Sequence, residues 1–465
     1  MRDAPRTIYE TRRGLDLRRF PYEKSPLEVY SRLRNRYSNT YLLESLAGPG
    51  KFAQYSFVGF NPETVIKVNE CAATITGEKY RASEVTDDPL RPLAAVLSKT
   101  PCLYQGIRLV GGAVGYVSYD SIKYWEKISR WGLFERRFPD IEFGIYDDGL
   151  YYDHQRKEAF YYTSGEDRYE VLDEASKSIP EIECLEYNDP EPNISREEYE
   201  KNIVKAKNYI SDGDILQVVL SRRYDFDFDG DLLAFYQALR EINPSPYMYF
   251  LQMGERAIIG SSPEMLMRVT GREVETFPIA GTRPRGADEE ANRVLAQELL
   301  ADPKEKAEHT MLVDLARNDI GRVCKYGTVK VPEFMEVHQF SHVQHIVSHV
   351  TGKLRDETDA FDAFRAVFPA GTVSGAPKVR AMEIIEELEK TPREPYAGTV
   401  GYFSSNGNAD FAITIRTLVA EGKHASIQVG GGIVADSVPS SEWEETENKA
   451  MALLRALKSS RDDKR

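Results

Sequence analysis

The chain has 465 residues, 41% of them hydrophobic, and its 60 basic and 74 acidic side chains give a net charge of −14. This length supports a large core, and the acidic balance argues against a nucleic-acid partner. We expect a cytoplasmic protein with no membrane partner, because no apolar run approaches membrane-spanning length, Met1–Arg19 lacks an apolar signal-peptide core, and the four cysteines show no CxxC spacing.

The first part of the chain is rich in short runs that favour β-strands. These runs combine β-branched and aromatic residues and are Tyr55–Gly59, Thr64–Val68, Arg108–Tyr119 and Phe143–Tyr152. The acidic, proline-bearing stretch Ile179–Asn193 is then typical of a connector. We therefore divide the chain into an N-terminal region, residues 1–190, and a second region, residues 191–465.

The second region opens with a helix and a strand. Ser195 and Glu198 have the spacing of a capping box and precede a helical apolar stripe. The strand that follows, Ile215–Ser221, has Gln217 as its one polar interruption. Further on, Pro278–Arg285 predicts a strand end that runs into a glycine turn with two cationic side chains.

Two later helices carry carboxylates that are candidate metal ligands. The first begins after Asp302 and places Glu308 on an apolar face, where a carboxylate is unfavourable unless it is paired or bound to a metal. The second has Glu442, Glu445 and Lys449 on one face. Glutamate is also favoured in a first helical turn by the helix dipole. The alternative hypothesis is that one glutamate from each helix binds Mg²⁺.

Two glycine-rich segments do not match nucleotide-binding patterns. Ala370–Lys378 lacks the GxxxxGK[ST] spacing, and the run of Gly430, Gly431 and Gly432 is no GxGxxG turn. Either segment could present backbone N–H groups to a carboxylate or form a plain tight turn. Arg416 lies near the end of a predicted alternating strand, where it could grip a carboxylate or form a structural ion pair.

Three histidines are spaced as if they shared a helical face. They are His342, His345 and His349, separated by three and four residues. Neither an HExxH motif nor an acidic ligand accompanies them, which argues against zinc. A single acid/base histidine, His345, is the favoured interpretation.

Taken together, the motifs of the second region resemble those of the chorismate-utilising enzymes. The similarity is dense from about residue 195 to 458 and looser before it. The motifs occur in the family order and are Gly213–Arg222, Ser261–Met265, Pro278–Arg283, Glu308–Asp319, Ala370–Lys378, Gly430–Gly432 and Glu442–Thr446. The resemblance implies an α+β fold in which antiparallel β-sheets pack as a sandwich flanked by helices, with the N-terminal region adding strands to the same core.

The resemblance also implies roles for named residues at the substrate site. Glu308 and Glu445 match the Mg²⁺ ligands, and the metal would neutralise the ring carboxylate of chorismate. Thr372 and Lys449 would help to fix the ring end of the substrate. The enolpyruvyl carboxylate would be held by residues further along the chain, namely Arg416, Tyr396 and the amides of Gly430, Gly431 and Gly432.

Two further residues match catalytic positions of the family. Glu264 matches the general acid that protonates the departing C4 hydroxyl, because hydroxide is a poor leaving group without a proton. His345 matches the histidine implicated in the later elimination of pyruvate. We therefore expect both side chains to face the substrate.

The nucleophile distinguishes the members of the family. Members that use water place a lysine where this chain has Gln217, whereas ammonia has its own lone pair and needs no such base. Members that form aminodeoxychorismate typically carry lysine at the position of Ala280. The sequence thus favours ammonia addition followed by pyruvate loss to give anthranilate for tryptophan biosynthesis. Aminodeoxychorismate for the 4-aminobenzoate and folate pathway remains the alternative.

The resemblance implies a partner and an inhibitor as well. None of the four cysteines lies in a nucleophile elbow, so a separate glutamine amidotransferase subunit is expected to supply ammonia. Two segments resemble the walls of a tryptophan-binding element, which predicts feedback inhibition by tryptophan away from the chorismate site. The predicted tryptophan-site residues are Leu43, Glu44, Ser45, Lys51, Pro246, Tyr247 and Met248.

Overall fold

The computed structural model describes residues 7–9, 15–47, 54–97, 106–128, 136–177, 182–340 and 343–461. Lys51 and His342 lie outside these residues. Two short 3₁₀ turns, Tyr119–Tyr124 and Gly371–Val373, interrupt the regular elements of the described chain. Its α-helices are α1 (Pro26–Arg34), α2 (Arg91–Leu97), α3 (Tyr169–Ala175), α4 (Arg196–Ser211), α5 (Leu232–Ile242), α6 (Glu289–Ala301), α7 (Pro303–Gly321), α8 (Ala360–Val367), α9 (Lys378–Leu388) and α10 (Pro439–Arg461).

The β-strands fall into two large sheets. In chain order they are β1 (Thr7–Tyr9), β2 (Leu15–Phe20), β3 (Asn39–Glu44), β4 (Tyr55–Phe60), β5 (Thr64–Asn69), β6 (Ala72–Gly77), β7 (Arg81–Val85), β8 (Gly112–Val117), β9 (Ile141–Tyr146), β10 (Asp148–Asp153), β11 (Glu158–Thr163), β12 (Glu186–Tyr187), β13 (Glu191–Pro192), β14 (Gln217–Asp229), β15 (Tyr247–Met253), β16 (Arg256–Ser262), β17 (Met265–Thr270), β18 (Glu273–Thr276), β19 (Ile279–Pro284), β20 (Lys330–Gln339), β21 (Val343–Lys353), β22 (Gly375–Ala376), β23 (Thr399–Ser404), β24 (Ala409–Ile413), β25 (Thr417–Glu421) and β26 (His424–Ile433).

The first sheet runs in the order β1-β2-β11-β10-β4-β3-β15-β16-β25-β26-β14-β12, and β13 and β22 also pair with β14. The second runs in the order β19-β21-β18-β17-β24-β23-β8-β9-β5-β6-β7, with β20 paired to β21. Neighbouring strands are antiparallel at the pairings that join the two halves of the chain, β3 with β15 and β8 with β23. The expected α+β sandwich with antiparallel sheets is thus confirmed.

Three apolar clusters define the layers of the sandwich. The cluster between the sheets joins residues such as Tyr41 and Tyr249 of the first sheet to Tyr116 and Tyr402 of the second. A second cluster packs α1, α5 and α10 on the outer face of the first sheet. A third packs α7 and α8 on the outer face of the second sheet. Strands covered on both faces, such as β8, are buried at every position, because successive side chains enter opposite clusters.

The N-terminal region contributes strands to both sheets, as the resemblance implied. In each sheet a block of strands from the N-terminal region joins a block from the second region, through the pairing of β3 with β15 in the first sheet and of β8 with β23 in the second. The segments Gly112–Ser118 and Gly398–Ser404 share the pattern Gly-x-Val-Gly-Tyr and lie side by side in β8 and β23, with Gly115 opposite Gly401. The connector after residue 181 carries β12 and β13, which both pair with β14. The assignment of the tryptophan-binding element to residues 1–190 and of the chorismate-binding catalytic domain to residues 191–465 stays a prediction.

Several local predictions are confirmed by the structure. Ser195 caps α4 by accepting a hydrogen bond from the backbone N–H of Glu198, whereas the Glu198 side chain pairs with Lys390 and does not complete the expected capping box. Asp302 caps α7 in the same way, with Pro303 at its first position. The predicted strand after α4 continues to Asp229 as β14. Among the described helices, none combines the length and the hydrophobicity that crossing a membrane requires.

Two predictions about local structure are wrong, and one open alternative is excluded. His345 and His349 lie on strand β21 and not on a helix. Spacings of four residues also return to the same face of a strand. Of the two alternatives left open for Gly430, Gly431 and Gly432, the structure excludes the tight turn, because these residues continue strand β26. Arg416 lies beyond the alternating strand predicted for it, because β24 ends at Ile413 and β25 begins at Thr417.

Candidate active site

One cavity of about 1100 Å³ gathers nearly all of the predicted substrate-site residues. Its walls are α7, α10, β14 and β26, together with the loops around β16, β24 and the 3₁₀ turn Gly371–Val373. Only Gly431 of the predicted catalytic, substrate and metal residues is missing from its lining. The predicted residues that line it are Gln217, Glu264, Glu308, His345, Thr372, Tyr396, Arg416, Gly430, Gly432, Glu445 and Lys449.

Glu264 is a buried acid in the short step between β16 and β17. Its backbone N–H donates a hydrogen bond to Ser262 Oγ at 3.3 Å. The residue is buried, with only 8% of its surface exposed. Burial raises the pKa of Glu264 to about 7, against opposing effects of the Thr372 hydroxyl and the Lys449 ammonium. A carboxylic acid that keeps its proton near neutral pH can donate it to a leaving oxygen.

Arg416 brings an uncompensated positive charge into the cavity. It lies in the bend between β24 and β25 with a φ of 53°, and its carbonyl accepts a hydrogen bond from the Ser261 N–H at 3.1 Å. Its guanidinium makes no ion pair or hydrogen bond within the described part of the chain. Burial lowers the pKa of Arg416. A buried cation without a counter-ion is unfavourable, so this arrangement suits an anionic ligand.

Gly430 and Gly432 present backbone groups to the same cavity. β25 pairs with β26 only as far as Ile427, which leaves the far end of this edge open. The Gly430 carbonyl accepts a hydrogen bond from Lys449 Nζ at 3.0 Å. Because N–H and C=O of one strand residue point the same way and the direction repeats every second residue, we infer that the N–H groups of Gly430 and Gly432 face the cavity. Gly431 points the opposite way.

Close contacts explain why glycine stands at these two positions. A Cβ at Gly430 would lie 2.6 Å from Tyr396 Oη, and one at Gly432 would lie 2.6 Å from Gln217 Nε2. Tyr396 is buried, and burial raises the pKa of its phenol. Thr372 Oγ1 is buried beside the Glu264 carboxyl, on whose pKa it acts, and makes no hydrogen bond of ordinary geometry within the described residues. These hydroxyls and amides form a polar cradle beside Arg416.

Carboxylates from α7 and α10 face each other across the cavity. Glu308 Oε1 accepts a hydrogen bond from Gln217 Nε2 at 3.2 Å. Burial, followed by the negative charges of Glu305 and Glu445, raises the pKa of Glu308, while Gln217 opposes this shift. Glu445 forms an ion pair of 2.6 Å with Lys449. Repulsion between carboxylates from two helices is the electrostatic condition that a bound cation relieves.

Glu442 adds a third carboxylate to this group. Its Oε2 atom is buried without a hydrogen-bond partner in the described chain. Burial and the nearby Glu445 raise the pKa of Glu442, against the effects of Ser437, Lys449 and Lys304. An all-oxygen donor set with room for substrate oxygens fits Mg²⁺, which prefers few protein carboxylates.

His345 is held in one tautomer by its neighbours. Its Nδ1 atom lies 2.8 Å from the Gly281 carbonyl and 3.1 Å from Thr282 Oγ1. A carbonyl only accepts hydrogen bonds, so Nδ1 carries the proton and Nε2 keeps its lone pair. Burial lowers the pKa of His345 and favours this neutral form. His349 instead contacts Glu275 at 3.2 Å and stacks on Phe277.

The segment around Ala280 supports the cavity from the side of α7. Ala280 is buried opposite Ile346 in β21, and Gly281 follows it with a φ of 65° at a break in the strand register. Arg283 forms ion pairs of 3.2 Å with both Asp302 and Glu305 at the start of α7. Of the two cations predicted in this motif, Arg283 therefore anchors the helix that carries Glu308, whereas Arg285 donates to the Phe340 carbonyl at 3.2 Å.

A second, smaller cavity lies between the two sheets at the pairing of β3 with β15. Its volume is about 50 Å³, which is room for roughly four water molecules. Five of the predicted tryptophan-site residues contribute to its lining, namely Leu43, Glu44, Ser45, Tyr247 and Met248. Ser45 Oγ donates to the carbonyl of Pro246 at 2.9 Å, which joins the two predicted segments.

The side chains of this smaller cavity divide between two faces of the sheet. Tyr247 faces the other sheet, where it donates to Asp410 Oδ1 at 2.9 Å. Glu44 faces α5 and accepts a hydrogen bond from Tyr236 Oη at 2.7 Å. Met248 also packs in the helix-facing cluster. Burial raises the pKa of Glu44, against the opposing charge of Arg240.

The sequence did not reveal several residues that line the two cavities. In the smaller one these are Tyr55, Phe57, Arg108, Arg268 and Tyr402, among others. The predicted β-runs contain Tyr55, Phe57 and Arg108, and the pattern shared by Gly112–Ser118 and Gly398–Ser404 contains Tyr402, but neither signal indicates a cavity. In the larger cavity they include Lys304, Glu305 and Gln428. Nothing in the spacing of these polar residues sets them apart from a solvated surface.

The fold and the larger cavity together define a class of enzyme. A model of the chorismate-binding enzymes matches residues 68–455, and the chain belongs to this family. The solved anthranilate synthase component I from Streptococcus pneumoniae is 37% identical with a TM-score of 0.76, over 86% of this chain and 92% of that one. The menaquinone-specific isochorismate synthase from Escherichia coli, 20% identical with a TM-score of 0.74 over 98% and 95% of the two chains, shares the fold.

Curated relatives point to one member of the family. Anthranilate synthase component 1 from Methanothermobacter marburgensis is 49% identical, and the match covers 93% of each chain. The protein of the same name from Aquifex aeolicus is 43% identical, over 93% of this chain and 92% of the relative.

Proposed function

We propose that this chain converts chorismate and ammonia to anthranilate, pyruvate and water. The observation that carries the proposal is one cavity that joins the buried acid Glu264 to the unpaired cation Arg416, with the neutral amide of Gln217 at the position of a water-activating base. The name shared by relatives of 43–49% identity supports anthranilate as the product.

Binding of the dianionic substrate would use the groups that lack partners. Arg416 would pair with the enolpyruvyl carboxylate, while Tyr396 and the amides of Gly430 and Gly432 donate hydrogen bonds to it. Thr372 would direct its hydroxyl at the ring. The interaction with Arg416 gives a counter-ion to a guanidinium that has none within the described chain.

Glu308 and Glu445 would hold Mg²⁺, with Glu442 as a third carboxylate beside them. The bound metal supplies Lewis-acid neutralisation of the ring carboxylate. Lys449 would move from Glu445 toward the substrate when the carboxylate takes up the cation, because its ammonium already lies 3.0 Å from the Gly430 carbonyl. Gln217 would keep its hydrogen bond to Glu308 and so hold that carboxylate in place.

The chemistry requires one acid and one base from the chain. Ammonia adds at C2 of the ring, the C4 hydroxyl takes a proton from Glu264, and water leaves. His345 then accepts the C2 proton on Nε2 as the C3–O bond breaks, and the enolpyruvyl group departs as an enolate, which takes up a proton from the imidazolium or from water to become pyruvate. The neutral tautomer of His345, with Nδ1 bound to Gly281, suits this role.

Ammonia would come from a separate glutamine amidotransferase subunit, in agreement with the word component in the names of the relatives. Tryptophan would inhibit the enzyme at the smaller cavity. Because that cavity has room for only roughly four water molecules, an indole ring would have to part β3 and β15 from the facing sheet. We propose that this separation reaches Asn243–Ser245, which precede β15 and line the larger cavity. The cytoplasmic location expected from the sequence stays a prediction.

The first experiment supplies purified chain with chorismate, Mg²⁺ and an ammonium salt at mildly alkaline pH and separates the products by chromatography. Anthranilate and pyruvate in equal amounts, suppressed by tryptophan, would support both the reaction and the inhibitor site. Aminodeoxychorismate without pyruvate would contradict the proposed product. Turnover that tryptophan does not affect would leave the reaction standing and remove the inhibitor proposal.

A further inference from the structure

We infer that Arg393 is a positioning residue for the substrate cradle, an inference that rests on the proposed reaction. Arg393 does not line the larger cavity, and its side chain is only 2% exposed. It lies in the turn Thr391–Ala397, three residues before Tyr396, whose backbone N–H donates to the Arg393 carbonyl at 3.0 Å.

The Arg393 guanidinium joins two separate walls of the cavity. Nη2 donates to the carbonyl of Val219 in β14, and Nη1 donates to the carbonyl of Val373 in the 3₁₀ turn, both at 2.7 Å. Val219 and Val373 line the cavity, and Val373 directly follows Thr372. A single planar group thus fixes the distance between the strand that begins with Gln217 and the turn that carries Thr372.

A buried carboxylate holds the guanidinium in this orientation. Glu389, at the end of α9, accepts hydrogen bonds from Nε at 2.8 Å and from Nη2 at 2.7 Å. The same carboxylate accepts hydrogen bonds from the N–H and the hydroxyl of Ser221, at 2.7 and 2.9 Å. Gln428, which lines the cavity, donates to Ser221 Oγ at 2.8 Å. The network therefore ties β14, α9 and β26 into one rigid support.

Arg393 also contacts the ring of a substrate-binding residue. Its guanidinium carbon lies 5.7 Å from the centroid of the Tyr396 ring and 4.7 Å from that of Tyr119. Tyr396 Oη stands beside Gly430 at the mouth of the cradle. Loss of the planar group would therefore release Tyr396, the Thr372 turn and β14 at once. A misplacement of about 1 Å at such distances can lower a rate by about 100-fold.

Lysine is the substitution that tests geometry while it keeps the charge. In Arg393→Lys one ammonium replaces the planar fork, so it can pair with Glu389 but cannot span both carbonyls. Arg168→Lys is a matched control. Arg168 also grips a buried carboxylate, Asp148, and donates to two backbone carbonyls, Phe60 and Asn61, at 3.2 Å each. It does not line the larger cavity and lies directly before α3.

The experiment measures kcat and KM for chorismate and for ammonia at a temperature where both variants are fully folded by circular dichroism. For Arg393→Lys we expect kcat to fall at least 10-fold and the KM for chorismate to rise about 5-fold, with the KM for ammonia unchanged. For Arg168→Lys we expect all three values within 2-fold of the wild type. Equal losses of kcat in the two variants, or no loss of kcat in Arg393→Lys, would overturn the positioning role of Arg393.

Two further measurements keep the inference open to test. If Arg393→Lys does not fold, Glu389→Gln replaces it, because the amide keeps the shape of the carboxylate and weakens its grip on Arg393. Chorismate binding is measured by calorimetry alongside turnover. A wild-type chain that binds chorismate without forming anthranilate would refute the proposed reaction. Affinity at least 5-fold lower in Arg393→Lys alone would then still support the positioning role, whereas equal affinities would overturn it.

Discussion

The two cavities of this protein differ in how their polar groups are satisfied. In the larger one, the Arg416 guanidinium and Glu442 Oε2 have no hydrogen-bond partner in the described chain. In the smaller one, Tyr247 and Arg268 share Asp410 through bonds of 2.9 and 2.8 Å. Buried polar groups without hydrogen-bond partners reduce stability and can be satisfied by a ligand. Buried polar groups that bond to each other stabilise the contact between their strands. We therefore expect substitutions in the larger cavity to remove activity and those in the smaller one to remove stability.

The largest effect is expected for Glu264→Gln. Loss of the general acid should lower kcat with ammonia about 1000-fold, because the C4 hydroxyl would leave without a proton. The steady-state rate of anthranilate formation measures this. Glu386→Gln is the control, since burial also raises the pKa of Glu386 to about 7 but its side chain does not line the cavity. A kcat within 10-fold of the wild type would remove Glu264 from the mechanism.

The same residue gives a pH dependence. Burial raises the pKa of Glu264 to about 7, so kcat/KM for chorismate should fall as the pH rises above this value. The raised pKa favours the protonated acid in the folded state, so its stabilising effect is complete below the unfolded pKa and is lost as pH rises through about 7. Glu264→Gln should therefore gain stability relative to the wild type between pH 5 and 8, as measured by urea unfolding at both limits.

The next effect concerns the carboxylates. Glu308→Gln should lower kcat/KM about 100-fold at limiting Mg²⁺, equivalent to about 2.7 kcal/mol, and high Mg²⁺ should restore part of the loss. Titration of activity against Mg²⁺ measures both. Glu305→Gln, one turn earlier on α7 and paired with Arg283, should change the Mg²⁺ dependence far less. Identical titrations for wild type and Glu308→Gln would refute the proposed metal site.

A smaller loss of activity is expected for Arg416→Gln. The KM for chorismate should rise about 30-fold, because a charge-assisted hydrogen bond contributes about 2 kcal/mol. Stability should stay equal or increase, since the substitution removes a buried charge without a counter-ion. In the control Arg283→Gln, two ion pairs with α7 are lost, so stability should fall while KM changes little. Destabilisation by Arg416→Gln would contradict the contrast between the cavities.

The smallest effect on activity belongs to Tyr247→Phe in the smaller cavity. Without tryptophan, kcat should stay within 2-fold of the wild type. The free energy of unfolding should fall by about 1 kcal/mol, because Asp410 and Arg268 each lose a hydrogen bond to the phenol. Tyr199→Phe, which loses only its bond to the Leu220 carbonyl, is the control for sensitivity to tryptophan. Equal inhibition in both variants would argue against a tryptophan site beside Tyr247.

Short sequence motifs predicted the structural features that depend only on residues close together in the chain. The caps at Ser195 and Asp302 belong to this kind, since each side chain bonds to a backbone N–H two or three residues away. The spacing of His345 and His349 fits one face of a helix and one face of a strand equally, so it could not distinguish them. The run that ends at Gly432 has no side chains and therefore carries no periodicity.

The order of the motifs predicted which residues meet in the larger cavity, but it could not predict which residues outside the cavity hold them in position. Arg393 acts on carbonyls that lie 174 and 20 residues away, and backbone acceptors leave no mark in a sequence. The same limit applies to Glu442, whose unpaired oxygen is visible only in three dimensions. In the smaller cavity, Arg108 and Tyr402 come from strands and loops that the sequence does not connect to β3.

The pairing of β3 with β15 and of β8 with β23 cannot form until late in synthesis. While the ribosome makes the N-terminal region, one edge of β3 and one edge of β8 have no neighbouring strand. β15 follows β3 after about 200 residues and β23 follows β8 after about 280, roughly 10–60 s at usual rates of synthesis. Unpaired apolar edges are templates for aggregation during that interval. Production of this protein should therefore benefit from low temperature and from chaperones that cover such edges until the second half arrives.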